Sequence, residues 1–280
     1  MSIKITADST CDLTAELVEK YNITITPLAV TCASETFLDG VDITPDGLYE
    51  KIKATGELSS TTAVNVQEYI DVFSKALEGC DAVIHFTISS AMSSCYQNAC
   101  LAAEEVGNVW VVDRKSLSTG IAHLVLDACE LAQEGMAPAD IHAELERRRE
   151  KLDVSFVVDT LEYLRKGGRC SAVAALGANL LKLHPCIYVK DGEMGVGKTY
   201  RGKIRDCLIA YVKERLADSE TVDTRRIFIT HSGVDDGICD EVEQTLRSLL
   251  PFREIIRTRA GCTVSSHCGP GTLGVLFYRK

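Results

Sequence analysis

The strongest constraint on the fold of this chain is the steady alternation of β-rich apolar runs with segments of helical period. "IKITAD" is followed by "LTAELVEKY", then "ITITPLAV". "DAVIHFTIS" is followed by "SCYQNACLAAEEVG", and "NVWVVDR" by "GIAHLVLDACELAQEG". Short runs rich in β-branched residues read as buried strands; apolar residues recurring every three to four positions read as helices. "PDGLYEKIKAT" and "VQEYIDVFSKALEG" read as two more helices on either side of a polar loop. Repeated alternation of this kind predicts the α/β class, with largely parallel sheets flanked by helices.

The pattern restarts after a charged helix, "PADIHAELERRREK", whose charge marks it as exposed. We therefore expect an N-terminal α/β domain over 1–152 and a C-terminal α/β domain over 153–280. In the second, "DVSFVVDT" reads as a strand, "LEYLRKGG" as a short helix and "AVAALGANLL" as an apolar helix. "HPCIYVKDGEMGVG" reads as two strands around a turn at Asp191-Gly192. "RDCLIAYVKERLAD" and "GICDEVEQTLRSLL" read as helices, and "RRIFITHSG", "FREIIRTRA" and "TLGVLFYRK" as strands. A length of 280 residues accommodates two such domains.

Composition removes several functions. A net charge of −10 argues against a nucleic-acid partner, which requires a basic face. No apolar run reaches the roughly 18 residues of a membrane span. The opening "MSIKITADST" reads as a first strand and not as a signal core, so we expect a cytoplasmic protein. The twelve cysteines are scattered without a Cys-x-x-Cys pair, which points to small buried residues in place of disulfides or a zinc site. No metal or cofactor is expected.

In open α/β sheets ligands lie at the carboxyl ends of strands. The loops there are rich in hydroxyls: Ser9 and Thr10, Ser59 to Thr62, Ser89 to Ser94, and Ser116 to Thr119. Taken singly, each is a helix N-cap. Gathered at one edge with helix N-termini, they suit an anion. Gly192-x-x-x-x-Gly197-Lys198-Thr199 matches a P-loop in letters, but its hairpin context favours a turn. His267, in "SSHCGPGTLG", is a titratable ring before several glycines and the last strand. Ser93 or Cys95 with His267 would form a nucleophile and base, so a hydrolase or phosphotransferase stands as the alternative function. No Gly-x-Ser-x-Gly elbow is present. His231 ends a strand and is a weaker candidate for lining a site; His85, His123, His142 and His184 read as structural.

"ITADSTCDL", "SSTT", "ISSAMSSCYQNA", "VVDRKSLSTG", "VDTLEYLRKGGR" and "HCGPGTLGV" occur in an order and spacing that resembles the DegV family across essentially the whole chain. The resemblance implies a two-domain protein that holds one long-chain fatty acid in a tunnel between its domains. It also implies a role as binding subunit of a bacterial fatty acid kinase: the carboxylate is presented to a separate ATP-binding subunit, and the acyl phosphate formed feeds phospholipid synthesis. Thr61 matches the family's carboxylate-binding hydroxyl, Thr62 the next position, Ser93 a second carboxylate ligand and His267 the histidine near the head group. Arg169 and Arg201 resemble basic positions of phosphoryl transfer or kinase docking. The chain departs from the family where Ala63-Val64 replaces Gln-Pro and Ala91-Met92-Ser93-Ser94 replaces Gly-Leu-Ser-Gly. The physics is compatible with a fatty acid: about 0.8 kcal/mol per buried CH2 gives roughly 11 kcal/mol for about 14 methylenes, before several kcal/mol of binding costs. The carboxylate then needs donors to stay ionised.

Overall fold

The computed structural model describes residues 1–113, 115–174 and 183–280. In the first half the strands are β1 (Ile3–Asp8), β2 (Thr24–Thr26), β3 (Ala29–Cys32), β4 (Glu35–Leu38), β5 (Ser60–Thr62), β6 (Ala82–Thr87) and β7 (Val109–Asp113). The helices are α1 (Ala15–Lys20), α2 (Pro45–Thr55), α3 (Val66–Leu77), α4 (Cys95–Val106), α5 (Thr119–Gln133) and α6 (Pro138–Arg149). The main sheet has the order β2-β1-β6-β7 and is parallel throughout. Every residue of β6 is buried, as expected of a central strand covered on both faces. Its one titratable side chain, His85, is held by Thr6 Oγ1 at Nδ1 (2.8 Å) and packs edge-on against the stacked Tyr69 and Phe73 rings.

A second, antiparallel sheet, β4-β3-β5, stands beside it. The sequence pattern did not foreshadow it: its strands are three or four residues long, and β5 falls inside the hydroxyl-rich "SSTT" stretch. Alternation along β5 turns Thr61 and Thr62 to opposite faces.

The second half holds β8 (Leu152–Val157), β9 (Leu183–Lys190), β10 (Glu193–Arg201), β11 (Val222–Ser232), β12 (Glu254–Arg259) and β13 (Thr272–Arg279). Its helices are α7 (Glu162–Gly167), α8 (Ser171–Ala174), α9 (Ile204–Arg215), α10 (Asp236–Leu249) and α11 (Cys262–Cys268). The sheet order is β10-β9-β8-β13-β11-β12, and of these pairings β11–β12 alone is parallel. The α/β class and the flanking helices agree with the sequence reading, but parallel pairing is confined largely to the first sheet. Two causes act. Asp191 (φ 53°) and Gly192 (φ 88°) close the β9–β10 hairpin in the left-handed conformation such tight turns require. The last strand, β13, enters between β8 and β11 and runs antiparallel to both. The expected helix "AVAALGANLL" lies mostly outside the described residues; of that stretch, the helix α8 reaches Ala174.

α5 is buried without a break from Thr119 to Cys129, the mark of a helix enclosed on all sides. It packs on β1 and β6 and, across its other flank, on β8 and β13. Ala122 and Leu126 share a core with Val154, Phe228 and Leu276 of the second sheet, while Ile121 and Val125 share one with Ile5 and Phe86 of the first. His123 is structural: its Nε2 meets the Leu276 carbonyl oxygen at 2.9 Å, and the ring lies edge-on between Phe228 and Tyr278.

Candidate functional site

The site is organised around α11, the helix that follows β12. His267 therefore sits in a last helical turn; the permissive glycines come just after it, Gly269 and Gly271 both having positive φ on the way into β13. The first turn of any helix leaves backbone amides without partners. Here two carboxylates from the first half of the chain take them. Asp12 Oδ1 accepts from the Gly261 amide (2.8 Å), Asp39 Oδ1 from Cys262 (2.7 Å) and Asp39 Oδ2 from Thr263 (3.0 Å). The hydroxyls of Ser118 and Ser9 donate to Asp12 and Asp39 in turn. Burial pushes the Asp12 carboxyl up to about 8, against the opposing pull of the Ser118 hydroxyl and the Gly261 amide.

At the other end of α11, His267 Nε2 lies 2.8 Å from Thr61 Oγ1. Its Nδ1 is buried without a hydrogen-bond partner among the described residues. The ring packs on Gly167, the end of α7, where a Cβ atom would stand 2.3 Å from Nδ1. Burial, helped by the Arg169 charge, pushes the His267 pKa down to about 4, so the ring is neutral near pH 7.

Thr61, Ser93, Arg169 and His267 line one cleft together with Met92 and Met194. Its empty space, open mouth included, is about 510 Å³. Behind it lies a second space of about 330 Å³, reaching Phe156, Gly274 and Leu276; Leu117, Val264 and Cys268 line both. The polar residues around this inner chamber are mostly turned to their own partners. Thr230 bonds to Thr119 (2.5 Å) and Thr258 (3.0 Å), Ser232 to Ser265 (2.8 Å), and Thr272 donates to the Cys268 carbonyl (2.9 Å). Apart from His231, whose Nδ1 has no partner among the described residues, the chamber thus offers an apolar wall. His231 lines it too, buried and pushed down to about 4 by desolvation.

The remaining sequence candidates fall outside this arrangement or at its rim. Thr62 is exposed and absent from the lining. Arg169 is at the mouth, donating through Nε to the Met92 carbonyl (3.3 Å) and through Nη1 to that of Gly167 (2.6 Å). Arg201, the exposed last residue of β10, is not in the lining. Ser93 Oγ accepts from the Cys95 amide (3.3 Å) and lies 3.2 Å from its sulfur. Among the described residues no hydrogen bond joins His267 to Ser93 or Cys95. The Cys95 thiol is fully buried and pushed up to about 11, chiefly by desolvation, so it is not a thiolate nucleophile. Lys198 of the P-loop-like run is in a strand and pairs with Glu214 (2.5 Å), so it is not the lysine at the start of a helix that a P-loop requires. Among the described residues no group of three or more His, Cys, Asp or Glu is placed to hold a metal ion, and no helix is long and apolar enough to cross a membrane.

Sequence reasoning did not single out Asp12, Asp39 or Gly167. The signal for Asp39 was weak, an acid before a glycine in "FLDG"; that for Gly167 was its place in the Gly-Gly that ends α7.

A family model described as "Uncharacterised protein, DegV family" matches residues 2–280. The chain belongs to the DegV family. A DegV domain-containing protein of Caldanaerobacter subterraneus subsp. tengcongensis is 30% identical over 99% of both chains. The DegV family protein of Thermus thermophilus, whose structure is described as showing fatty acid binding, is 32% identical, with a TM-score of 0.92 over 100% of each chain. A stearic acid-binding protein from Eubacterium ventriosum is 28% identical, covers 99% of this chain and 98% of its own, and gives a TM-score of 0.85. DegV structures similar to this chain thus hold fatty acids.

Proposed function

We propose that this DegV family protein binds one long-chain fatty acid, with the carboxylate at Thr61, Ser93 and His267 and the alkyl chain in the apolar chamber behind them. The observation that carries this reading is the adjacency of the two spaces, which share Leu117, Val264 and Cys268 in their walls. A mouth lined by hydroxyls and the His267 ring adjoins a chamber whose own hydroxyls are already bonded. A hydrocarbon gains about 0.8 kcal/mol per CH2 removed from water, while the carboxylate keeps its charge if donors replace its hydration. The fatty acids held by the Thermus thermophilus and Eubacterium ventriosum proteins support the ligand class. Domains 1–152 and 153–280 each contribute one side: Thr61 and Ser93 from the first, His267 and Arg169 from the second.

In this reading the protein is a cytoplasmic lipid-binding subunit. It presents the carboxylate to a separate ATP-binding kinase subunit, with Arg169 at the mouth and Arg201 on the exposed surface meeting that partner, and the acyl phosphate enters phospholipid synthesis. Guanidinium groups suit phosphate oxygens on an incoming nucleotide.

Native mass spectrometry of the purified protein tests the first step. One fatty acid per chain is expected, and stripped protein should gain thermal stability when a long-chain acid is added. Absence of both a co-purified acid and a thermal shift would overturn the reading. The second step separates from it: Arg201→Ala should retain its acid yet lose acyl-phosphate formation with a kinase subunit and ATP, and undiminished turnover would remove Arg201 from the docking surface.

A further inference from the structure

The "ERRREK" run that ends α6 does not simply face solvent; it forms one wall of a second, wider cleft remote from the fatty acid lining. Arg147 and Arg148 of α6, with Lys151 just beyond, face Arg225 of β11 and Arg279 and Lys280 at the end of β13. The cleft encloses about 950 Å³ of empty space, mouth included. Setting Lys280 aside, five cations and two side-chain carboxylates, Glu144 and Asp223, line it, while Asp127, Glu130 and Asp153 pair with three of those cations from outside the lining.

The cations divide into a fixed set and a free set. Arg148 Nη1 and Arg225 Nη2 each reach the buried Asp127 carboxylate of α5 at 2.9 Å. Arg279 donates to Asp153 (2.8 Å), the Thr221 hydroxyl (2.8 Å) and the Arg215 carbonyl (3.1 Å). These three guanidinium groups are held in place before any ligand arrives, which lowers the ordering cost of binding. Arg147 and Lys151 are exposed; Lys151 makes no ion pair among the described residues, and Arg147 meets Glu144, which Arg148 already engages. The carbonyl end of α6 brings a partial negative charge, but that field fades within a turn, and the arginines stand directly against it.

We infer that this cleft binds a phosphate-bearing anion, gripped by Arg147 and Lys151 against the fixed frame of Arg148, Arg225 and Arg279. Guanidinium forks match phosphate oxygens. The polar, open walls do not suit an alkyl chain, and the negative charge of the rest of the molecule opposes an extended polyanion while tolerating a compact one.

The source of the phosphate, soluble or lipid headgroup, is resolved by two arms of one experiment on the full chain. Inorganic pyrophosphate is titrated by calorimetry at low salt. In parallel, co-sedimentation is measured with vesicles of phosphatidylcholine alone and of phosphatidylcholine with phosphatidylglycerol. The Arg147→Gln/Lys151→Gln double variant is compared with Lys53→Gln/Lys75→Gln, which changes net charge equally at exposed sites on α2 and α3. Binding in either arm, weakened about tenfold or more in the first double variant and unchanged in the second, supports the site; the responding arm names the source. Added salt should weaken it further. Absence of binding in both arms, or equal loss in both double variants, overturns it. Unfolding temperature and fatty acid content should be unchanged in both, so this outcome stands apart from that of the fatty acid reading.

Discussion

The two ends of α11 meet carboxylates in opposite ways. At its start the protein supplies its own: Asp12 and Asp39 satisfy the amides of Gly261, Cys262 and Thr263, and of the side chains there the Thr263 hydroxyl, on the cleft lining, has no partner among the described residues. At its finish His267 lines a cleft, with Nε2 on Thr61 and Nδ1 against Gly167, without a partner among the described residues. Buried polar atoms without partners are costly, so the first end reads as a clamp that fixes the helix and the second as a place completed by something from outside. The contrast teaches that polarity alone does not mark a site. What marks it is donor or acceptor capacity left unspent by a residue that lines a cleft, since the His123 Nδ1, buried in the core, is equally unpartnered among the described residues.

The contrast can be broken, from its largest consequence downward. Asp39→Ala removes the acceptor from two buried amides and should cost about 2–4 kcal/mol of stability, read by urea unfolding; a change within experimental error would remove the clamp. His267→Ala should leave the fold nearly intact but weaken fatty acid binding by roughly 10–100-fold, as expected for a lost hydrogen bond to a charged group of about 1.5–3 kcal/mol. Gly167→Ala tests the same ring from behind. The added Cβ at 2.3 Å from Nδ1 forces the imidazole off Thr61, and about tenfold weaker binding should follow. Thr62→Val should change affinity by less than about 0.5 kcal/mol, because its side chain faces away; a loss as large as that of Thr61→Ala would mean that the strand register has been misread.

The two ends should also differ in the sign of their pH dependence. The Asp12 carboxyl is raised to about 8, so between its ordinary value of 3.8 and that value the folded chain holds a proton the unfolded chain has lost, and this contribution to stability fades as pH rises. His267 is lowered to about 4 from 6.5, so its contribution is present above 6.5 and fades as pH falls. Asp12→Asn and His267→Gln should flatten opposite limbs of the stability profile. An incoming carboxylate raises the His267 pKa, so fatty acid binding should take up a proton and tighten as pH drops from neutral toward 5. Calorimetry in buffers of different ionisation enthalpy reads that uptake, and its persistence in His267→Gln would assign the proton elsewhere.

Much of this was legible in the residues. The alternating runs gave the helices and strands of both halves, because apolar periodicity is dictated by which face is buried. The pairing sense of the second sheet was not, since β13 comes last yet lies in the middle, and nothing local in "TLGVLFYRK" records its neighbours. Thr61, Ser93, Arg169 and His267 were legible as separate loop residues, and the cleft gathers them. Thr62 shows the limit of that reading: a loop gives no facing, whereas a three-residue strand does. Asp39 lay hidden because its partners, the amides of Cys262 and Thr263, are 223 and 224 positions away.

The enclosure of α5 bears on whether either half is a portable module. Its Ile121 and Val125 belong to one core and its Ala122 and Leu126 to the other. A fragment ending near residue 152 would therefore carry a bare apolar flank into water, and its counterpart would lack the plug for its sheet. Gene fusion, circular permutation or domain shuffling at this boundary should yield insoluble products unless α5 travels with both parents, and the two lobes are bound to be inherited as one unit.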